Sequence, residues 1–268
     1  MTGRHPKTLN VSRPSPRWLA IGKIDPRVQT GNGGMVEKIT SRHIGIVAGS
    51  AEGAAHCYRT ICIEGARLLG PHAHPEVSMH SHPLARYMNC IYQDDWAGVG
   101  DLMLISARKL AGSGAEFLIC PDNTFHEALP LIASRSPLPW LHIAEVVAEE
   151  AAVRGFHRLG FARYALARRE RDLSRKACAA PARILAPGPD EREELNRIIM
   201  EELVYGVFKP EAVAYHQRLI ERMKDEGCDA VILGCTEIPL IISDDNSLLA
   251  TLDSTRLLAR AALARAVR

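Results

Sequence analysis

Residues 114–124, GAEFLICPDNT, and residues 227–237, GCDAVILGCTE, align from their first glycines without a gap. In each, a glycine opens the stretch, an acidic residue stands third, an apolar run follows and polar residues close it. A short apolar run bounded in this way reads as a buried strand. The same run recurring far along the chain is an internal repeat, and the repeat predicts two pseudo-symmetric lobes.

Outward from the repeat, further strand candidates are IGIVAG (44–49), PEVSMHSH (75–82), PWLH (139–142), HRLGFA (157–162) and ARILAP (182–187). The segments between them have helical spacing. Residues 96–114 place apolar side chains at i, i+3 and i+4 and end at glycine, while residues 190–206 open with acidic residues and also end at glycine. Strands alternating with helices give an α/β fold in which each lobe is a mainly parallel sheet flanked by helices. The expected division is a disordered extension over 1–42, a first lobe over 43–139 plus 242–268, and a second lobe over 140–241. The extension is rich in proline, glycine and scattered basic residues without periodicity.

Composition narrows the function. A formal net charge of +2 and 5% aromatic content supply neither a dominant basic face nor a stacking platform, so no nucleic-acid partner is expected. No apolar run approaches the roughly 20 residues of a membrane span, and no charged segment leads into an apolar leader, so no membrane association and a cytoplasmic location are expected. Seven cysteines without CxxC spacing argue against a disulfide framework and a zinc site. His80 and His82 share one face of a strand, but no carboxylate or cysteine completes a ligand set nearby in sequence, so no metal is expected. VAGSAEGAAHCY (47–58) has glycines after a strand without the spacing of a dinucleotide fingerprint or a P-loop.

In open α/β sheets, ligands bind beyond the carboxyl ends of the strands, where a helix N-terminus offers free N–H groups. In the register of the repeat, Asp122 falls opposite Cys235 and Cys120 falls opposite Leu233, inside the strand. If the lobes face each other, Asp122 and Cys235 approach a ligand from opposite sides, suited to removing a proton on one face and returning it on the other. Asn123, Thr124 and Thr236 would then hold a substrate carboxylate. The plainer alternative is that these Asp, Asn and Thr residues cap helices and that Cys235 only packs. His126, close behind, either orients Asp122, shares in proton transfer and substrate binding, or packs on its own helix.

With IGIVAGS, GAEFLICPDNTFH and GCDAVILGCTEIPLI, the chain resembles the aspartate/glutamate racemase family over nearly everything after Ser41. The family consists of cofactor-independent amino-acid racemases, commonly homodimers, acting on small amino acids. Glu237 in GCTEIP resembles the aspartate-racemase branch. By this resemblance Cys235 is one catalytic residue, and backbone groups near Ser50 together with Asn123, Thr124, His126, Thr236 and Glu237 bind substrate. The family's other cysteine directly precedes the Asn-Thr pair, where this chain has Asp122, read as a substitution. The Gly-Thr-Arg that ends a family strand is matched only by the shorter RLGFARYALARRE, where Arg163 either supplies a cation to a substrate carboxylate or is an exposed surface arginine. Superfamily relatives with a single catalytic cysteine imply a lyase, a decarboxylase or a cis-trans isomerase as alternatives. A catalytically inactive carboxylate-binding protein is the further one.

Overall fold

The computed structural model describes residues 41–162 and 183–268. Two parallel sheets carry the fold. The first has three strands in the order β2-β1-β3, with β1 at Ile44–Ala48, β2 at Val77–Ser81 and β3 at Phe117–Ile119. The second has the order β5-β4-β6-β7, with β4 at Arg158–Ala162, β5 at Arg183–Leu185, β6 at Ala230–Leu233 and β7 at Ala250–Asp253. Every described pairing is parallel, as the strand-helix alternation predicts.

The strands β1, β3 and β6 are buried throughout, which is why they read as unbroken apolar runs. Helices cover them: α1 (Ala51–Leu69), α2 (Leu84–Tyr92), α3 (Trp96–Gly112), the single turn α4 (Leu129–Ile132), α5 (Ile143–Val153), α6 (Pro189–Glu201), α7 (Pro210–Asp225) and α8 (Ser254–Ala266). In the first lobe Val47, Tyr87, Met103, Leu118 and Phe125 share one core. In the second, Leu195, Ile198, Ile220, Met223 and Val231 share another. Each such side chain contributes roughly 1.5–3 kcal/mol of transfer free energy, more than the roughly 1 kcal/mol of a typical cap.

The repeat is visible in the backbone. Gly114 and Gly227 follow α3 and α7 with φ of 93° and 86°, a region that penalises any residue with a Cβ. At the first, Gly114 N–H donates to Ala111 O and Ala115 N–H to Leu110 O. At the second, Gly227 N–H donates to Lys224 O and Cys228 N–H to Met223 O, so both helices close with one motif. Two residues on, the acidic side chain clamps the neighbouring strand: Glu116 accepts from His43 N–H at 3.0 Å, and Asp229 accepts from His157 N–H at 2.7 Å and from Arg158 N–H at 3.2 Å.

Helices α5 and α8 join the lobes. Ile143 of α5 and Leu258, Ala259 and Ala262 of α8 pack on β1 and β3. Val147 and Ala151 of α5 and Leu257 of α8 pack instead on β4, β6 and β7. Arg260 of α8 grips Glu64 of α1 through two hydrogen bonds, at 2.8 and 2.9 Å.

Three details differ from the sequence reading. The segment 242–268, expected whole in the first lobe, is divided: β7 pairs with β6 in the second sheet, whereas α8 returns to α1. The expected strand at 139–142 makes only a bridge, Trp140 to Leu118, because Pro139 has no N–H to continue a ladder. The fold also begins before residue 43, since Arg42 N–H donates to Ala266 O at 2.8 Å. Residues 1–40 and Arg163 lie outside the described residues. No described helix is long and apolar enough to cross a membrane.

Candidate active site

The loops after β1, β3 and β6 meet at the carboxyl ends of the two sheets. Ser50, Asp122, Asn123, Thr124, Cys235, Thr236 and Glu237 line one cleft there. Asp122 and Cys235, equivalent in the repeat, thus face a shared space. Of this set Asp122 is half-buried, while the others are buried.

The β6 loop is organised around one carboxylate oxygen. Glu237 Oε2 accepts from Cys235 Sγ at 2.8 Å and from Thr236 Oγ1 at 2.7 Å. Thr236 has a single hydroxyl proton and spends it on Glu237, so at the 3.0 Å contact between Ser50 Oγ and Thr236 Oγ1 the serine is the donor. Ser50 in turn accepts from Gly53 N–H in the first turn of α1. Donors therefore run from the positive end of α1 through Ser50 and Thr236 to the Glu237 carboxylate. A Cβ at Gly53 would overlap the Thr236 side chain, so glycine lets the two loops approach this closely.

Burial first, then the charge and hydrogen bond of Glu237, then the charge of Asp122, push the Cys235 thiol well above its ordinary range. At neutral pH Cys235 is protonated. It is a proton donor as it stands, and becomes a base only by passing its proton to a neighbour. Glu237 Oε2 is within reach to take it.

The β3 loop is built differently. Asp122 Oδ1 accepts from Thr124 N–H at 3.0 Å, a local turn that fixes its carboxylate at the strand end. Asn123 lines the cleft but commits its amide elsewhere: Nδ2 donates to Ser254 Oγ at 2.9 Å, and Ser254 donates to Leu233 O at 3.0 Å. This chain of two bonds ties the Asp122 loop to the backbone two residues before Cys235. His56 Nε2 and Asp253 Oδ2, 3.1 Å apart, form a second tie between α1 and β7.

Other residues singled out in the sequence fall outside the cleft. His126 is buried beneath it, its Nε2 donating to Cys120 O at 2.8 Å and its ring 4.7 Å from that of His142. Cys120, expected inside the strand, lies one residue past the end of β3 and is fully buried in the first-lobe core, where burial followed by the charge of Asp122 pushes its thiol up. His80 and His82 turn to other partners: Lys109 donates to His80 Nε2 at 2.9 Å, and Arg86 approaches His82 Nδ1 at 3.3 Å.

Glu237 was expected to bind substrate, yet its Oε2 is taken by the thiol and by Thr236. Ser254, which sequence reasoning passed over, carries the tie between the loops. Its signal was available in Asp253-Ser254-Thr255, a polar cluster after a short apolar run like those closing the repeat.

A profile of the family described as Asp/Glu/hydantoin racemase matches residues 46–262. Among solved structures, a Yersinia pestis protein provisionally assigned as an Asp/Glu racemase superposes with a TM-score of 0.75 at 26% identity, covering 85% of this chain and 100% of its own. An aspartate racemase homologue from Pyrococcus horikoshii OT3 gives 0.72 at 26% identity, with coverages of 85% and 100%. The aspartate racemase of Picrophilus torridus gives 0.65 at 15% identity, covering 82% of this chain and 92% of its own, a likeness of fold alone.

Proposed function

The chain belongs to the Asp/Glu/hydantoin racemase family, and from that premise we propose that it is a racemase-like isomerase inverting the α-carbon of a small amino acid without a cofactor. The observation that carries this reading is the placement of Asp122 and Cys235, equivalent strand ends of two lobes, on one cleft with Glu237 against the thiol.

In one direction Cys235 passes its proton to Glu237, and the thiolate takes the α-proton. The C–H bond breaks and its electron pair spreads into the substrate carboxylate. Protonated Asp122 then delivers a proton to the opposite face. Cys235 and Glu237 now hold one proton more and Asp122 one fewer, and exchange with solvent restores the starting state. The reverse direction begins with Asp122 as the carboxylate base. Closure of the lobes supplies the pre-organised, water-poor surroundings that such a carbanion requires.

The test is proton NMR in heavy water with a panel of L-amino acids, alongside chiral analysis of the products. Cys235→Ala is expected to abolish loss of the α-proton signal. Asp122→Ala is expected to retain exchange started by Cys235 while losing inversion. Full exchange by Cys235→Ala would sink the proposal, and so would full inversion by Asp122→Ala.

A further inference from the structure

The lining of the cleft is of two kinds. The strand-end loops bring both carboxylates, Asp122 and Glu237, together with Phe125. Leu84, Met88 and Ile91 of α2, Ile199 and Met200 of α6 and the neighbouring Val204 make up its apolar wall. The α2 residues fall at i, i+4 and i+7, one face of the helix. Ile199 is 1% exposed, Ile91 6% and Met88 9%, so this wall is set into the protein. Met200 packs against the cores of both lobes, and the apolar wall spans the seam between them.

Building on the reading above, we propose that the substrate is an α-amino acid with an apolar side chain of about the size of leucine or methionine, lodged between α2 and α6. With the two faces of its α-carbon taken by Asp122 and Cys235 and its carboxylate held by the polar loops, an amino acid finds only the apolar residues of the same lining left for its side chain. A side-chain carboxylate placed there would lose its hydration among aliphatic groups, with two carboxylates behind it. An apolar side chain loses nothing and gains contact. About 30 Å³ of the cleft is open to the centre of a water-sized molecule, so the walls must give to admit a guest. Met88 on α2 and Met200 on α6 are unbranched side chains that can change rotamer to do so.

The experiment measures α-proton exchange in heavy water for L-methionine, L-leucine, L-alanine, L-aspartate and L-glutamate, each rate taken as the difference from Cys235→Ala. Methionine and leucine are expected to exceed aspartate and glutamate in kcat/KM by at least about ten-fold, and leucine to exceed alanine by about ten-fold or more. Met200→Lys places a cation at the rim of this wall and is expected to shift the methionine-to-aspartate ratio at least about ten-fold toward aspartate. Aspartate or glutamate exchanging as fast as methionine in the wild type would overturn the inference and leave the racemase reading intact. Absence of Cys235-dependent exchange with any of the five would overturn both.

Discussion

Replacing Glu237 by glutamine isolates the step on which the proposed mechanism turns. The change keeps the side chain's size, and the amide oxygen can still accept from Thr236, so the chain of donors from α1 survives. What is lost is a group able to receive the Cys235 proton across the present 2.8 Å contact. Two effects then oppose each other. Without the carboxylate's charge the thiol becomes more acidic than in the wild type, but burial, the largest cause of its raised pKa, remains. The thiol therefore stays protonated at neutral pH with no acceptor beside it. Loss of a positioned base costs about 10²- to 10⁴-fold, or about 3–5 kcal/mol in barrier height. The exchange rate of Glu237→Gln is expected to fall by at least about 100-fold near pH 7 and to climb about ten-fold per pH unit as solution base takes over the ionisation. A Tm within about 4 °C of the wild type, the shift that about 1 kcal/mol gives a chain of this size, separates this result from misfolding. The assay is α-proton exchange by NMR between pH 6.5 and 9.5. A variant within three-fold of the wild type at pH 7, with an unchanged pH profile, would refute the role given to Glu237.

Two further outcomes follow from the described contacts. Ser254→Ala leaves the buried amide of Asn123 without its acceptor and Leu233 O without its donor, which should cost about 1–3 kcal/mol in urea denaturation. Since the same bonds hold the Asp122 loop to the Cys235 loop, kcat should fall more than KM rises, whereas equal stability and kinetics would remove Ser254 from the site's support. The buried thiols of Cys57, Cys120 and Cys235, all raised mainly by burial, make stability fall at alkaline pH. Unfolding frees them to ionise near their ordinary value of 9.0, while the folded protein keeps them protonated. Their contribution is full well below pH 9 and declines as the pH rises through it, by about 3 kcal/mol between pH 9 and 10 for the three together. Urea midpoints at pH 8, 9 and 10 check this, and a flat or rising profile would contradict it.

The parts of the fold written in local apolar runs were legible from the sequence. IGIVA and AVIL form fully buried strands, and the two glycine-acid-strand stretches proved equivalent in helix closure and strand clamp. β7 was missed because Ala250–Asp253 is four residues long with one fully buried side chain, too little to stand out from its polar neighbours. The register of the repeat placed Asp122 and Cys235 on the cleft and Cys120 in the core. It did not reveal which way polar side chains turn. Asn123 and Glu237 sit where expected, yet their partners come from Ser254 and from the thiol itself, contacts fixed by how the lobes meet. His126 turned inward for the same reason: one residue of rotation in a tight 3₁₀ turn decides between cleft and core.

The glycine-acid clamps lie at the amino ends of the strands, and every residue of the proposed chemistry lies at the carboxyl ends. Each lobe therefore anchors its strands at one pole and leaves the other pole free to vary. Loops beyond β1, β3 and β6 can be rebuilt for a new substrate without touching the junctions that set strand register. The reverse also holds: damage to a clamp would lower the yield of folded protein while leaving the specificity of the surviving molecules unaltered. For directed evolution this separates the two searches, with stabilising changes sought at one end of the sheets and new selectivity at the other.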